Sequence, residues 1–443
     1  MLKRSIALAG SVALLGGVTG QVAQADTRKA AAISAVQVEW ADAEHTNIKI
    51  TWTETTPVAN TLSLGTSGSP VTTEFGVSPV GADNEFIIDS ASLLDSAGHS
   101  STADPAAKSW IVVAADGETS ARSADFDRFL YQPSGVTVSF TADNQISWSI
   151  PASPNSVQDD PLDVPSQLRY LVIRRLDPDP ASAGSACQNE DVATTSTTTG
   201  VVAPNGQPYE LSVNPDNEWG ARLGPVANVR LATSATISAP ASSPYGGNTT
   251  ITGQVTGRSL QISGPPSDPI CDEATIGVPN QSVVLQQRTS STAAWTVVGT
   301  TKTDATGKYT AVVKNPGHRE YRVVPANTGG VGAAAHGAAP TASRAVRAIT
   351  RVVSAKFIQP VITYGTKPQA YLWVDPAGTQ QAALQFKNAS GVWQGVMYKT
   401  LYAGRGIATY SWNRRGATQF RWWVPATPTA DATYSGIFTL TVR

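Results

Sequence analysis

Chemistry-bearing side chains are scarce in this chain of 443 residues: it has two cysteines, two methionines and four histidines, and only 15% of its residues are charged. The histidines, His45, His99, His318 and His336, fall in scattered, turn-like contexts. No Gly-x-Ser-x-Gly elbow accompanies them to build a Ser-His-Asp nucleophile, no His-Glu-x-x-His pair offers a zinc site, and there is no glycine-rich phosphate loop. Two isolated cysteines without a neighbouring histidine do not make a metal centre. Paired carboxylates for glycoside hydrolysis need a cleft, which domains of sandwich size seldom form. The acidic turns with Asp159, Asp160 and Asp163, and with Asp177 and Asp179, lack the twelve-residue calcium loop and its terminal glutamate, so solvated turn acids are expected there. Sustained helical periodicity is missing beyond the N-terminus. The expectation is a protein that is not an enzyme and holds no cofactor.

At the N-terminus, Lys3 and Arg4 precede an apolar run from Ile6 to Val18 and then Ala23-Gln24-Ala25. That order of charge, hydrophobic core and small residues is the pattern of a secretory signal peptide over 1–25, with the mature chain expected to start near Asp26. A membrane anchor is the competing reading, but the run is short and ends in a cleavage pattern. No cysteine follows the cleavage site to carry lipid, no second hydrophobic span occurs, and the C-terminal GIFTLTV has no sorting tail. A secreted, extracellular protein is expected, with no membrane span after cleavage and no covalent anchor. In that oxidising compartment Cys187 and Cys271 are expected to pair, with free thiols as the alternative. A loop of this length stabilises by about 4 kcal/mol if the bridge is unstrained.

The length suggests three or four domains. Val, Ile, Thr and aromatics with abundant Gly and Pro favour an all-β class. Val36, Val38 and Trp40 alternate on one face, as do Ile48, Ile50 and Trp52, opening a first sandwich at 32–131. A second, at 132–232, opens alike with Val136, Val138, Phe140 and then Ile146, Trp148, Ile150, so Trp52 and Trp148 hold equivalent places 96 residues apart. Within it Tyr209, Leu211, Val213, Asn217 and Gly220 stand at the spacings of Y-x-V-x-V-x-A-x-N-x-x-G, with Pro215 in the Ala place. The segment resembles the fibronectin type III family, whose early-strand tryptophan Trp148 matches. In the first unit Trp110, Val112 and Ala114 are taken as the Tyr-x-Val-x-Val places and the Gly is missing. The resemblance implies seven-stranded sandwiches used as spacer, adhesive or accessory modules, here without the family's Arg-Gly-Asp.

The remaining chain is doubled. Gln281 to Ala326 and Gln381 to Ala426 share strand, Trp, Lys-Thr, Gly-Lys/Arg, Tyr/Phe-Arg and Pro-Ala landmarks 97 to 100 residues apart, a period that suits a sandwich domain. Sandwiches are expected at 235–350 and 351–443, giving four tandem β-sandwich domains. Tyr245-Gly246 and Tyr364-Gly365 mark matching turns 119 apart, so the third unit carries roughly 21 extra residues between Val255 and Gln281, Cys271 among them. Cys187 lies in an irregular segment rich in Asp, Pro, Ser and Thr, so the bridge is expected to pin loops of adjacent domains. The Gly/Ala-rich stretch Thr328 to Ser343 is expected to be a long mobile loop rather than a linker. The doubled units resemble bacterial immunoglobulin-like modules, which implies a bacterial source.

Charge is unevenly divided. Residues 26–230 hold 26 acidic and 11 basic side chains, residues 231–350 hold 5 and 9, and residues 351–443 hold 2 and 10. The basic end would attract anionic polymers. With an extracellular address, an envelope polymer, a polysaccharide or another surface protein is the expected partner, and nucleic acid is not. The same end holds 15 of the 32 aromatic residues. If FRWWV is a strand, Trp422 shares a face with Phe420 and Val424, and Trp423 shares the other with Arg421. Tyr371 with Trp373, and Tyr410 with Trp412, are read in the same way. Either these aromatics fill the core, or Tyr371, Trp373, Trp393, Tyr410, Trp412, Arg421 and Trp423 form a surface that stacks on sugars or engages a partner. The expected role is a non-catalytic adhesion or scaffold protein, the alternative a carbohydrate-binding accessory protein.

Overall fold

The structure, a computed structural model, describes residues 32–69, 72–95, 106–115, 119–153 and 160–443. The leader at 1–25, His99 and Asp159 lie outside them. Among the described residues no helix is long and apolar enough to cross a membrane. Strands dominate among the described residues, joined by one short helix, Ser90–Asp95, and one 3-10 turn. The chain divides into two compact units, the first running to Arg128 with the addition of 160–162.

The first unit has two sheets. Ile33–Trp40, Asn47–Glu54 and Glu85–Asp89 form one, and Thr73–Ser78, Asn60–Thr66, Ser109–Ala115 and Ser120–Arg122 form the other. Alternation buries Val38, Ile48, Ile50 and Trp52 from the first sheet and Leu62, Leu64, Ile111 and Val113 from the second. Here the motif expected at Trp110 is corrected. Ser109, Ile111, Val113 and Ala115 are the buried residues of their strand, and Trp110, Val112 and Ala114 face the other way. A shift of one residue exchanges the faces of a strand. Trp110 instead lies under the Arg122 guanidinium, 4.4 Å from the ring centre.

The second unit contains three two-layered cores. In the first of them, Thr137–Phe140, Ile146–Ser149 and Thr199–Val202 face Arg169–Leu176, Tyr209–Asn217 and Val226–Ala235, with Gln188–Thr195 beside the second group. Trp148, Tyr209, Leu211 and Val213 are all buried in this core. The segment expected to be irregular thus supplies two strands, Gln188–Thr195 and Thr199–Val202, whose side chains are mostly exposed.

The Gly/Ala-rich stretch is a second correction. Thr328–Val331 and Ala333–His336 form a hairpin, not a free loop. One arm pairs with Thr137–Phe140 and the other runs parallel to Val226–Ala235, so the hairpin closes one edge of the preceding sandwich. Small residues make this possible. Ala334 packs into the core around Trp148 while Ala335 packs into the next core, around Tyr321. A Cβ on Gly329 would stand 2.2 Å from the Val138 carbonyl oxygen.

The next core sets Asn248–Ser263 and Lys308–Lys314 against a sheet of Ser282–Arg288, Thr296–Lys302, Arg319–Pro325 and Arg344–Ile349, and buries Ile251, Val255, Leu285, Tyr309 and Val323. The extra residues of this repeat extend Asn248–Ser263 into a long arm paired with Ile270–Gly277. Cys271 on that arm is bonded to Cys187, beside the short pairing of Ser185–Ala186 with Ile270–Gly277. Strand Val226–Ala235 pairs first with Tyr209–Asn217 and then with Asn248–Ser263, so one hydrogen-bonded sheet runs through residues 232–235.

The last core lies between a smaller sheet, Arg351–Phe357, Gln369–Asp375 and Arg405–Thr409, and a larger one of Val361–Ile362, Phe438–Val442, Gly416–Val424, Gln380–Lys387 and Trp393–Leu401, with Thr433–Tyr434 on Gly416–Val424. Leu372, Val374, Leu384, Phe420, Trp422 and Leu440 fill it. The doubling is exact enough to repeat irregularities. Gly246 and Gly365 both take left-handed φ in their Tyr-Gly turns, and both copies carry a β-bulge, between Leu285 and Gln286 and between Leu384 and Gln385.

Candidate interaction surface

Gly416–Val424 alternates as expected: Phe420, Trp422 and Val424 point into the core, and Arg421 and Trp423 point out. Opposite Arg421 stands Gln385, and opposite Trp423 stand Ala383 on one side and Tyr434 on the other. Ala383 in turn faces Tyr398. One row across four strands therefore reads Tyr398, Ala383, Trp423, Tyr434.

Arg421 organises the row beside it. Its guanidinium lies 4.4 Å from the Trp393 ring centre and 3.9 Å from that of Tyr434, and its Nε donates to Gln385 Oε1 at 2.8 Å. A guanidinium fixed by a hydrogen bond and two rings keeps its charge at a defined place. The preceding repeat has the same device. Arg322 lies 4.4 Å from the Trp295 ring centre and its Nε donates to Gln286 at 2.7 Å. There a second arginine, Arg288, covers the same ring at 4.5 Å and is ion-paired to Glu320 at 2.6 Å.

The seven residues expected to form one surface are distributed over three places. Trp393, Arg421 and Trp423 lie together on the outer face of the larger sheet. Tyr371 and Trp373 face outward from the smaller sheet, on the other side of the sandwich, where Arg405 stacks on Trp373 at 4.3 Å. Trp412 is a correction: it is buried, with ring centres 5.1 Å from both Phe386 and Phe420, and Tyr410 packs against the same cluster. The strand Arg405–Thr409 has ended before Tyr410, so strand alternation does not govern this pair. Burial pushes the Tyr410 hydroxyl well above the ordinary tyrosine value. The sequence pattern does not single out as surface four exposed rings of this segment, Tyr364, Tyr398, Tyr402 and Tyr434, of which Tyr398, at 66% exposure, and Tyr434, at 52%, lie on the larger sheet in line with Trp423.

Among the ten basic residues of 351–443, Arg405, Arg414, Arg415 and Arg421 all stack on aromatic rings. Such contacts usually occur about once per 70–80 residues. Part of the aromatic surplus is thus occupied by the protein's own arginines, a use distinct from both core filling and ligand stacking. Both carboxylates of the segment are taken as well: Asp375 accepts from Arg351 at 2.5 Å and Asp431 from Arg347 at 2.6 Å. Among the described residues Arg421 of the outer face forms no ion pair.

No known protein family matches the chain. No curated protein resembles it in sequence either. Among solved structures it is similar to the FN1–FN3 domains of chicken contactin (CNTN1), at 12% identity over 72% of this chain and 99% of that one, with a TM-score of 0.22. A likeness of that size assigns no family.

Proposed function

We propose that the protein is a non-catalytic, multidomain adhesion or scaffold protein of the cell exterior, and that its last sandwich contacts an anionic envelope polymer through the outer face of its larger sheet. The observation behind the reading is the fixed Arg421 between Trp393 and Tyr434, with Trp423 and Tyr398 in the adjoining row. An anionic polymer gains charge attraction from this face, and its neutral rings gain contact with the aromatics. The exterior address rests on the leader-like residues 1–25 and agrees with the Cys187–Cys271 bridge.

The test is sedimentation with purified cell walls across a salt series. Retention should fall as salt rises and should drop in Arg421→Ala. Retention that ignores both salt and Arg421→Ala defeats the proposal. The exposure of Tyr398 and Tyr434 on either side of Trp423 favours one further reading, an accessory protein for polysaccharide degradation. It expects salt-insensitive retention on chitin or cellulose that Trp423→Ala abolishes.

A further inference from the structure

A second place in the molecule collects cations without counter-charge. The Gly/Ala hairpin, the turn at Pro279-Asn280 and strand Val226–Ala235 border a half-open pocket of about 180 Å³, which Arg230 and Lys302 line and no acidic side chain does. Among the described residues Arg230 forms no ion pair, and its Nε is buried with no protein partner. That nitrogen is sealed from the pocket, so the terminal nitrogens of the guanidinium, which are not sealed in this way, are the ones a ligand can reach. Burial also draws Arg230 below the ordinary arginine value, which an anion beside it would reverse.

We propose that this pocket binds one small oxyanion, a carboxylate or a phosphate group, held between Arg230 and Lys302. The planar guanidinium fork suits either group. Pockets for drug-sized ligands measure about 300–1,000 Å³, so this one takes a single charged group or one sugar ring, not a length of polymer. The hairpin supplies a wall without bulk. At Gly330 an added Cβ would meet nothing within 4 Å, and the residue is not in the left-handed region. The site is separate from the C-terminal face, and its test is independent of that reading.

The full-length chain is titrated at constant ionic strength with sodium glucuronate and, separately, with inorganic phosphate, with glucose as the neutral control, and binding is read by ligand-observed NMR. Either anion should bind, and affinity should fall about tenfold or more in Arg230→Gln and in Gly330→Glu. A preference for glucuronate assigns a carboxylated sugar, and a preference for phosphate assigns a phosphate. Should Arg230→Gln fail to fold, Gly330→Glu and the exposed Lys302→Gln decide. The proposal is overturned if neither anion binds, or if binding keeps its strength in Gly330→Glu.

Discussion

Adjacent glycines in the Thr328–Val331 arm should respond oppositely to one methyl group. A Cβ at residue 329 would lie 2.2 Å from the Val138 carbonyl oxygen and 2.7 Å from the Ser139 Cα, both backbone atoms that cannot swing aside. Gly329→Ala must therefore push the arm off Thr137–Phe140. The pairs Gly330 to Val138 and Val331 to Thr137 are lost, together with the bond from the Gly332 N–H to the Val136 carbonyl. Two or three backbone hydrogen bonds at about 0.5–1.5 kcal/mol each, plus looser packing of Ala334, come to about 2–4 kcal/mol. Gly330→Ala meets nothing within 4 Å and should be neutral or slightly stabilising, because it restricts the unfolded chain. Hydrogen exchange by mass spectrometry separates the outcomes, since it reads local opening where a global melt of several cores does not. In Gly329→Ala, peptides covering 134–140 and 326–337 should exchange roughly 30- to 700-fold faster, and in Gly330→Ala at the native rate. If the two variants exchange alike, the hairpin does not close the sandwich and the reasoning fails.

Three further outcomes are expected. Replacing both Cys187 and Cys271 by Ser opens a link spanning 84 residues and should cost about 4.5 kcal/mol by the loop-entropy estimate; a calorimetric melt unchanged by the replacement would contradict this. His336 sits edge-on to Phe140, with ring centres 4.4 Å apart, and burial lowers its pKa from 6.5, so below that pH the unfolded chain binds the proton more readily and stability falls as pH drops through the folded value. His336→Gln should flatten the fall in melting temperature between pH 7.5 and pH 5.5; because Glu273, raised by burial, titrates in the opposite sense, the comparison is between variant and wild type. Trp412→Ala should destabilise the last sandwich by about 3–5 kcal/mol in urea, whereas Trp373→Ala, on an outer face, should cost well under half of that. Equal losses would mean that Trp412 is not core.

The alternation of apolar residues made the strands and most inward faces legible from sequence. Trp422 and Trp423 were assigned to the right faces because their strand is regular. The Gly/Ala hairpin was not legible, because it carries no hydrophobic period: its role depends on the absence of side chains where two backbones approach. Tyr398 was hidden by the bulge. Counting by twos from Trp393 places residues 395 and 397 outward, but the register shift between Leu384 and Gln385 turns Met397 inward and Tyr398 outward. Arg421 and Trp393 were both suspected, yet their stacking joins residues 28 apart across an intervening strand, and no spacing rule shows it. Trp110 failed for a simpler reason, since its strand fits the expected motif equally well one residue out of step.

The two copies of the repeat share a Gln-Arg-Trp ladder, so the ladder alone cannot mark a contact site; the difference lies in what surrounds it. In the earlier copy Arg288 faces Glu320 across the strand pair, so one of the two arginines on the Trp295 ring is neutralised. Ninety-nine residues on, those places are Lys387 and Gln419, and the carboxylate is gone. Tyr434 has been added on the far side of the arginine, and Trp423 stands where the earlier copy has Val324. In the earlier copy the glutamate offsets one of two stacked arginines and lowers the charge of the sheet face. The same arginine beside a lysine and a glutamine keeps its field, and added rings give that field an apolar platform to act beside. The framework is common to both copies, and the substitutions on it concentrate uncompensated charge and exposed aromatic area on the last sheet.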